Sequence, residues 1–99
     1  MCNIISMYAF EHEKEVQTRL LPKGAEILSV CVRQETVMIA VKQNVNAYVN
    51  FRVENMQKVE IAILNEKRSF DIDDYNFLGT VVLNFGNDIY HVLYRYIQE

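Results

Sequence analysis

Apolar residues along this chain recur at spacing two more often than at three or four, which is the period of strands rather than helices. From Thr36 to Gln43 the set Val37, Ile39 and Val41 alternates with Thr36, Met38, Ala40 and Lys42. From Asn46 to Glu54 the set Ala47, Val49, Phe51 and Val53 alternates with Asn46, Tyr48, Asn50 and Arg52. A short loop at Asn44, Val45 and Asn46 makes these one predicted hairpin, with Val41 facing Val49, Ile39 facing Phe51 and Val37 facing Val53 on a dry side. Its other side pairs Lys42 with Tyr48, Ala40 with Asn50 and Met38 with Arg52.

Gly86-Asn87 tolerates positive φ and marks a second hairpin between Thr80–Phe85 and Asp88–Tyr94. A two-residue turn there sets Phe85, Leu83 and Val81 beside Asp88, Tyr90 and Val92. The opposite side sets Asn84, Val82 and Thr80 against Ile89, His91 and Leu93. Both sides are largely apolar, so the expectation is that neither meets bulk water and that one meets another subunit. Further strands are predicted at about Ile4–Phe10, Glu15–Leu21, Glu26–Gln34 and Gln57–Leu64, for a count of seven or eight. Pro22 and Gly24 predict a turn that starts the strand after it, and Gly79 permits a bulge or a close approach. Glu11–Leu20 and Asn65–Asp74 are dense in charge and weak in alternation, and there a helical turn could intrude. The expected fold is all-β, or a β-rich α+β, with residues 1–99 as a single-domain antiparallel sandwich or partly closed barrel of about seven strands.

The chain has 99 residues, 51% of them hydrophobic and 23% charged, which is globular composition with room for one core. A chain this short buries roughly 60 to 70% of its unfolded surface and has little to spare for a deep cleft of its own, which favours assembly. Ten Lys+Arg against thirteen Asp+Glu give a net charge of −3, so nothing draws the chain non-specifically onto DNA by counterion release. No apolar run approaches the roughly 18 residues of a spanning helix. The start, MCNIISMYAFEHEKE, has neither a basic region nor a small-residue cleavage site, so the expected location is the cytosol, with no membrane contact.

Candidate chemistry is sparse. Cys2 and Cys31 are far apart, form no CxxC, and are expected to be reduced, Cys31 as a small buried or half-buried thiol. His12 and His91 have no metal-ligand spacing, and no cofactor or metal is expected. Asp71, Asp73 and Asp74 read as a solvated acidic turn, because the glycine and terminal glutamate of a calcium loop are missing. No GxSxG, GxxxxGK[ST] or GxGxxG occurs, and the chain is expected not to be an enzyme.

What remains is the mixed face of the first hairpin, with Lys42, Tyr48, Asn50 and Arg52, and the C-terminal run with Tyr90, Tyr94, Arg95 and Tyr96. Arginine and tyrosine hold phosphates and stack on planar rings, and the same types are enriched at protein interfaces. The expected ligand is a small, planar, anionic nucleotide, with Arg33, Lys42, Arg52 and Arg95 as phosphate contacts, Tyr48 and Tyr94 as stacking partners, and Asn50 and His91 as further contacts. The alternatives are a protein-interaction module and an accessory virion component.

The segment Leu21-Pro22-Lys23-Gly24-Ala25-Glu26-Ile27-Leu28-Ser29-Val30, followed by Phe77-Leu78-Gly79-Thr80-Val81 and by Tyr90-His91-Val92-Leu93, resembles a family of small, β-rich proteins encoded largely by bacteriophages. In that family an LPKGAEIL-type segment precedes a GTV-type strand and a last strand with a histidine. The resemblance spans roughly residues 15 to 93, and it departs at the charged Asn65-Glu66-Lys67-Arg68, where relatives carry a TG-containing segment. It implies a phage context and a homo-oligomer in the host cytosol that sequesters a cyclic-nucleotide immune signal, or a binder that inhibits a host protein.

Overall fold

A computed structural model describes residues 2–44 and 56–97, which form seven strands and no helix. The strands are β1 (Asn3–Phe10), β2 (Val16–Pro22), β3 (Glu26–Arg33), β4 (Thr36–Asn44), β5 (Met56–Asn65), β6 (Asn76–Leu83) and β7 (Asp88–Ile97). They make two antiparallel sheets, a three-stranded one in the order β1-β4-β3 and a four-stranded one in the order β2-β5-β7-β6. The sheets stack face to face without closing into a barrel, so of the two expected architectures the sandwich is the one formed.

Alternation decides which side of each strand faces the core. Val37, Ile39 and Val41 of β4 are at most 2% exposed, as their spacing predicts. Across the core they meet Val59, Ile61 and Ile63 of β5 and Val92 of β7, all likewise buried. One polar side chain shares this interior. Gln43 is buried on β4, where its Nε2 donates to Ser6 Oγ (3.0 Å) and its Oε1 accepts from the Tyr8 hydroxyl (3.1 Å). Leaving such a buried amide without partners costs about 1–3 kcal/mol, so this network ties β1 to β4 in one register.

Several expectations are corrected. The predicted hairpin partner of β4, Asn46–Glu54, lies outside the described residues. The pairing itself fails on β4, whose two edges are taken along their length by β1 (Asn3↔Asn44 to Phe10↔Val37) and β3 (Glu26↔Lys42 to Arg33↔Thr36). The glycine turn of the last hairpin is longer than two residues. Turn residues Asn84–Asn87 connect Leu83 to Asp88, so Val81 pairs with Tyr90 rather than Val92. A slip of two positions keeps every side chain on its expected side, because the strand period is two. Neither segment in which a helical turn could intrude is helical: Glu11–Leu20 is a hydrogen-bonded turn at Glu11–Lys14 followed by β2, and Asn65–Asp74 contains turns closed by the Arg68 amide on Asn65 and the Tyr75 amide on Ile72. Gln17 holds the first, its Nε2 donating to the carbonyl of Glu11 (2.7 Å) while its Oε1 accepts from the Glu11 amide (3.2 Å).

The Lys23-Gly24 turn forms as predicted, with Gly24 at φ +85° and the Ala25 amide bonded to the Pro22 carbonyl. Gly79 does both things its type permits. The β6–β7 register shifts between Phe77 and Gly79, and a Cβ at position 79 would stand 2.8 Å from Val30 Cγ1 of the opposite sheet. Here β6 of one layer lies against β3 of the other, and the stiff χ1 of valine leaves the intruding methyl little room.

Gly79→Ala is therefore expected to destabilise the fold by about 1–3 kcal/mol in denaturant unfolding, the usual cost of overpacking a filled core. Adding Val30→Ala should recover part of that loss, and strictly additive effects of the two changes would argue against the contact.

Candidate functional site

The four-stranded sheet is buried on both sides at its centre. On its outward side Ala62 and Leu64 of β5 and Leu93 of β7 are at most 4% exposed, a dryness that no second sheet among the described residues supplies there. The cover is the segment 66–75 between β5 and β6, which lays Phe70 and Tyr75 on those three residues. Phe70 and Tyr75 meet edge to face at 5.6 Å. The segment is fastened at several points along its length. The Glu66 amide donates to the Ile89 carbonyl (3.0 Å), Arg68 pairs with Glu15 (3.0 Å), and the Tyr75 hydroxyl donates to Glu60.

Beneath this strap lies a cavity of about 360 Å³. Leu64 and Leu93 form its apolar floor, Phe70, Ile72 and Phe77 its walls, and Arg68, Glu66 and His91 the polar positions on its lining. The His91 ring is set in place from two directions. Its Nδ1 shares a hydrogen bond with Thr80 Oγ1 (2.8 Å), and its face is tilted 49° to the Phe77 ring at 6.0 Å. With Nδ1 engaged by Thr80, Nε2 is the nitrogen available to a ligand. An apolar floor, aromatic walls and a few polar groups make a small-molecule site, and the volume is at the lower end of the roughly 300–1,000 Å³ such sites occupy.

Two other hollows are charged but internally matched. The larger, about 610 Å³, lies between β1 and β2. Its cations are engaged: Lys14 pairs with Glu11 (3.0 Å), and Arg19 donates to the Ala9 carbonyl (3.0 Å) with its guanidinium 4.4 Å from the centre of the Phe10 ring. The other hollow, at Glu60, Asp74 and Arg95, surrounds a salt bridge. Arg95 Nε bonds Glu60 Oε2 at 2.8 Å, Asp74 lies 3.9 Å away, and the guanidinium sits 4.6 Å from the centre of the Tyr75 ring. The Glu60 hydrogen bond pushes Arg95 further above its ordinary pKa, and burial together with the Glu60 carboxylate pushes the Tyr75 phenol up to about 12.

The residues expected to form one site are distributed over the molecule. Arg33 and Lys42 face outward from the three-stranded sheet, Lys42 between Ile5 and Glu26. Tyr94 turns toward the core and packs edge to face on Tyr96 at 5.9 Å. His91 and Arg95 share the outward side of β7, four residues apart, or about 13 Å at strand rise. Tyr48, Asn50 and Arg52 lie outside the described residues. Among the described ones only His91 lines the strap cavity. Phe70, Phe77 and Arg68 went unrecognised, although the two-sided apolar character of β7 was a signal that something covers its outer side. Within the chain the strap covers Leu93, whereas Val82 (48%) and Phe77 (62%) stay exposed. Cys31 is exposed rather than buried, because Ile27, Val30 and Val32 take the inward positions of β3 and leave it with Ser29 and Arg33 outside.

A phenol whose pKa rises on folding stabilises the folded state fully below its unfolded value and loses that contribution as pH climbs through the folded value. Stability is thus expected to fall between pH 10 and 12, with the strap loosening first. Denaturant unfolding across that range checks this: Tyr75→Phe, which cannot ionise, should show a smaller fall, and an equal fall in the variant would contradict it.

Compared with known proteins, the chain matches over residues 1–99 a family model described as a domain of unknown function, DUF7352. No curated protein and no solved structure matches it.

Proposed function

The chain belongs to the DUF7352 family, and from its own geometry we propose that it is a non-catalytic binding protein for a small, planar, nucleotide-type anion. The observation that carries this reading is the cavity under the strap, with Phe77 and His91 side by side and an arginine on the lining. A heterocyclic ring of base size slides between Phe70 and Phe77 over the leucine floor, where Nε2 of His91 meets its polar edge. Arg68, whose Nε is held by Glu15 and whose Nη1 donates to the Ser69 carbonyl, meets a phosphate through its remaining Nη2. The bacteriophage resemblance supports the finer reading that the ligand is a cyclic-nucleotide signal of the host cytosol, removed from circulation by binding.

Isothermal titration against linear and cyclic nucleotides should find at least one saturable ligand, recovered chemically unchanged. His91→Ala and Phe77→Ala are each expected to weaken it about tenfold or more, the equivalent of about 1.4 kcal/mol. Altered ligand, silence across the panel, or loss of binding with Arg33→Ala and Lys42→Ala but not with His91→Ala would overturn the proposal.

A further inference from the structure

The carboxylates that line the three hollows are matched within the fold, with one exception. Glu11 pairs with Lys14, and Glu60 and Asp74 lie against Arg95. Glu66 lines the strap cavity, and among the described residues no cation and no hydrogen-bond donor reaches its carboxylate. The backbone that carries it is nonetheless fixed. Its amide donates to the Ile89 carbonyl at 3.0 Å, one step beyond the Leu64↔His91 and Asn65↔Tyr90 pairs, so the β5–β7 ladder continues through it. Glu66 is thereby a diagonal cross-strand neighbour of His91, a separation of roughly 7–8 Å, and both residues line the cavity.

A carboxylate accepts hydrogen bonds and donates none, and it repels the phosphate that Arg68 is placed to hold. An anionic ligand therefore gains at this position only by turning donors toward Glu66. Among the common bases guanine alone presents two adjacent donors, N1–H and the N2 amino group, spaced for the two oxygens of one carboxylate. Adenine sets its N1 lone pair against the charge, and cytosine its N3 lone pair. Uracil offers a single N–H flanked by two carbonyls. The other edge of guanine carries two acceptors, O6 and N7, which suits His91. With the Thr80 hydroxyl donating to Nδ1, Nε2 bears the ring proton and donates.

We infer that the ligand of the strap cavity is a guanine nucleotide, with Glu66 as the residue that reads the base. The inference rests on the nucleotide-binding reading proposed above and adds the identity of the base. Glu66 accepts from N1–H and the N2 amino group, His91 meets the O6 and N7 edge, and Phe70 and Phe77 take the ring faces whatever the base. Specificity and stacking are thus carried by different residues, and substitution separates them.

Isothermal titration with guanosine, inosine and adenosine nucleotides, each as the 5′-monophosphate and the 3′,5′-cyclic monophosphate, tests this. Inosine keeps N1–H and lacks the N2 amino group, so it is expected to bind about tenfold more weakly than guanosine, and adenosine more weakly still. Glu66→Gln preserves size at an exposed position and replaces the carboxylate with one acceptor and one donor, the pattern that complements adenine. It should weaken guanosine binding at least about tenfold and bring adenosine level with it or ahead, a change of preference that a loss of folding does not produce. Phe77→Ala should weaken guanosine and inosine binding by the same factor. Equal affinity for the three bases, a preference for adenosine, or an order unchanged in Glu66→Gln overturns the guanine assignment and leaves the nucleotide reading standing. Silence from all six compounds overturns both.

Discussion

The arrangement depends on burying the centre of one sheet on both sides. β5 and β7 have apolar residues facing outward as well as inward, and a two-layer sandwich covers only the inward set. Burying a leucine such as Leu64 or Leu93 fully contributes roughly 1.5–3 kcal/mol, so the outward pair has a strong drive to find a cover. The strap between β5 and β6 supplies it with Phe70 and Tyr75. A sheet covered by a strap, in place of a second sheet, is covered unevenly, and the cavity is the space between the aromatic residues and the leucine floor.

Each fastening of the strap serves that cover. Tyr75 joins Glu60, which in turn holds Arg95, so the one deeply screened carboxylate on this side organises both a phenol and a guanidinium. Arg68 reaches back to Glu15 at the foot of β2. On the opposite face of the same sheet Gly79 lets β6 approach Val30 closely, and the register shift beside it leaves Phe77 on the outward side next to His91. Core closure at Gly79 and the aromatic wall of the cavity are thus two results of one local irregularity.

Much of the fold is legible in the chain, because the period-two alternation is strong where a strand has one wet and one dry side. β1, β2, β3, β4 and β5 fall within a residue or so of where that pattern places them. The first hairpin misleads for a physical reason. Val37, Ile39 and Val41 announce a dry side correctly, but alternation says nothing about which strand lies alongside, and β1 and β3 take both edges of β4. The candidate site was less legible. Residue type does not tell whether a cation or a tyrosine already has its partners within the fold: Arg95 is held by Glu60 and Tyr94 packs on the core. The residues that build the cavity are mostly phenylalanines and leucines, whose type alone does not distinguish a ligand wall from packing. His91 was recognisable as the one histidine embedded in a predicted strand, though only the fold brings Thr80 and Phe77 to it.

The central claim is that ligand recognition belongs to the strap side of the four-stranded sheet. Amide chemical-shift mapping of the labelled protein against a nucleotide panel tests it most directly, because it reports position as well as binding. The account predicts saturable shifts concentrated at Leu64, residues 66–72, Phe77 and His91, with Arg33 and Lys42 unmoved. Shifts centred on the outward side of β3 and β4, with the strap silent, would contradict it.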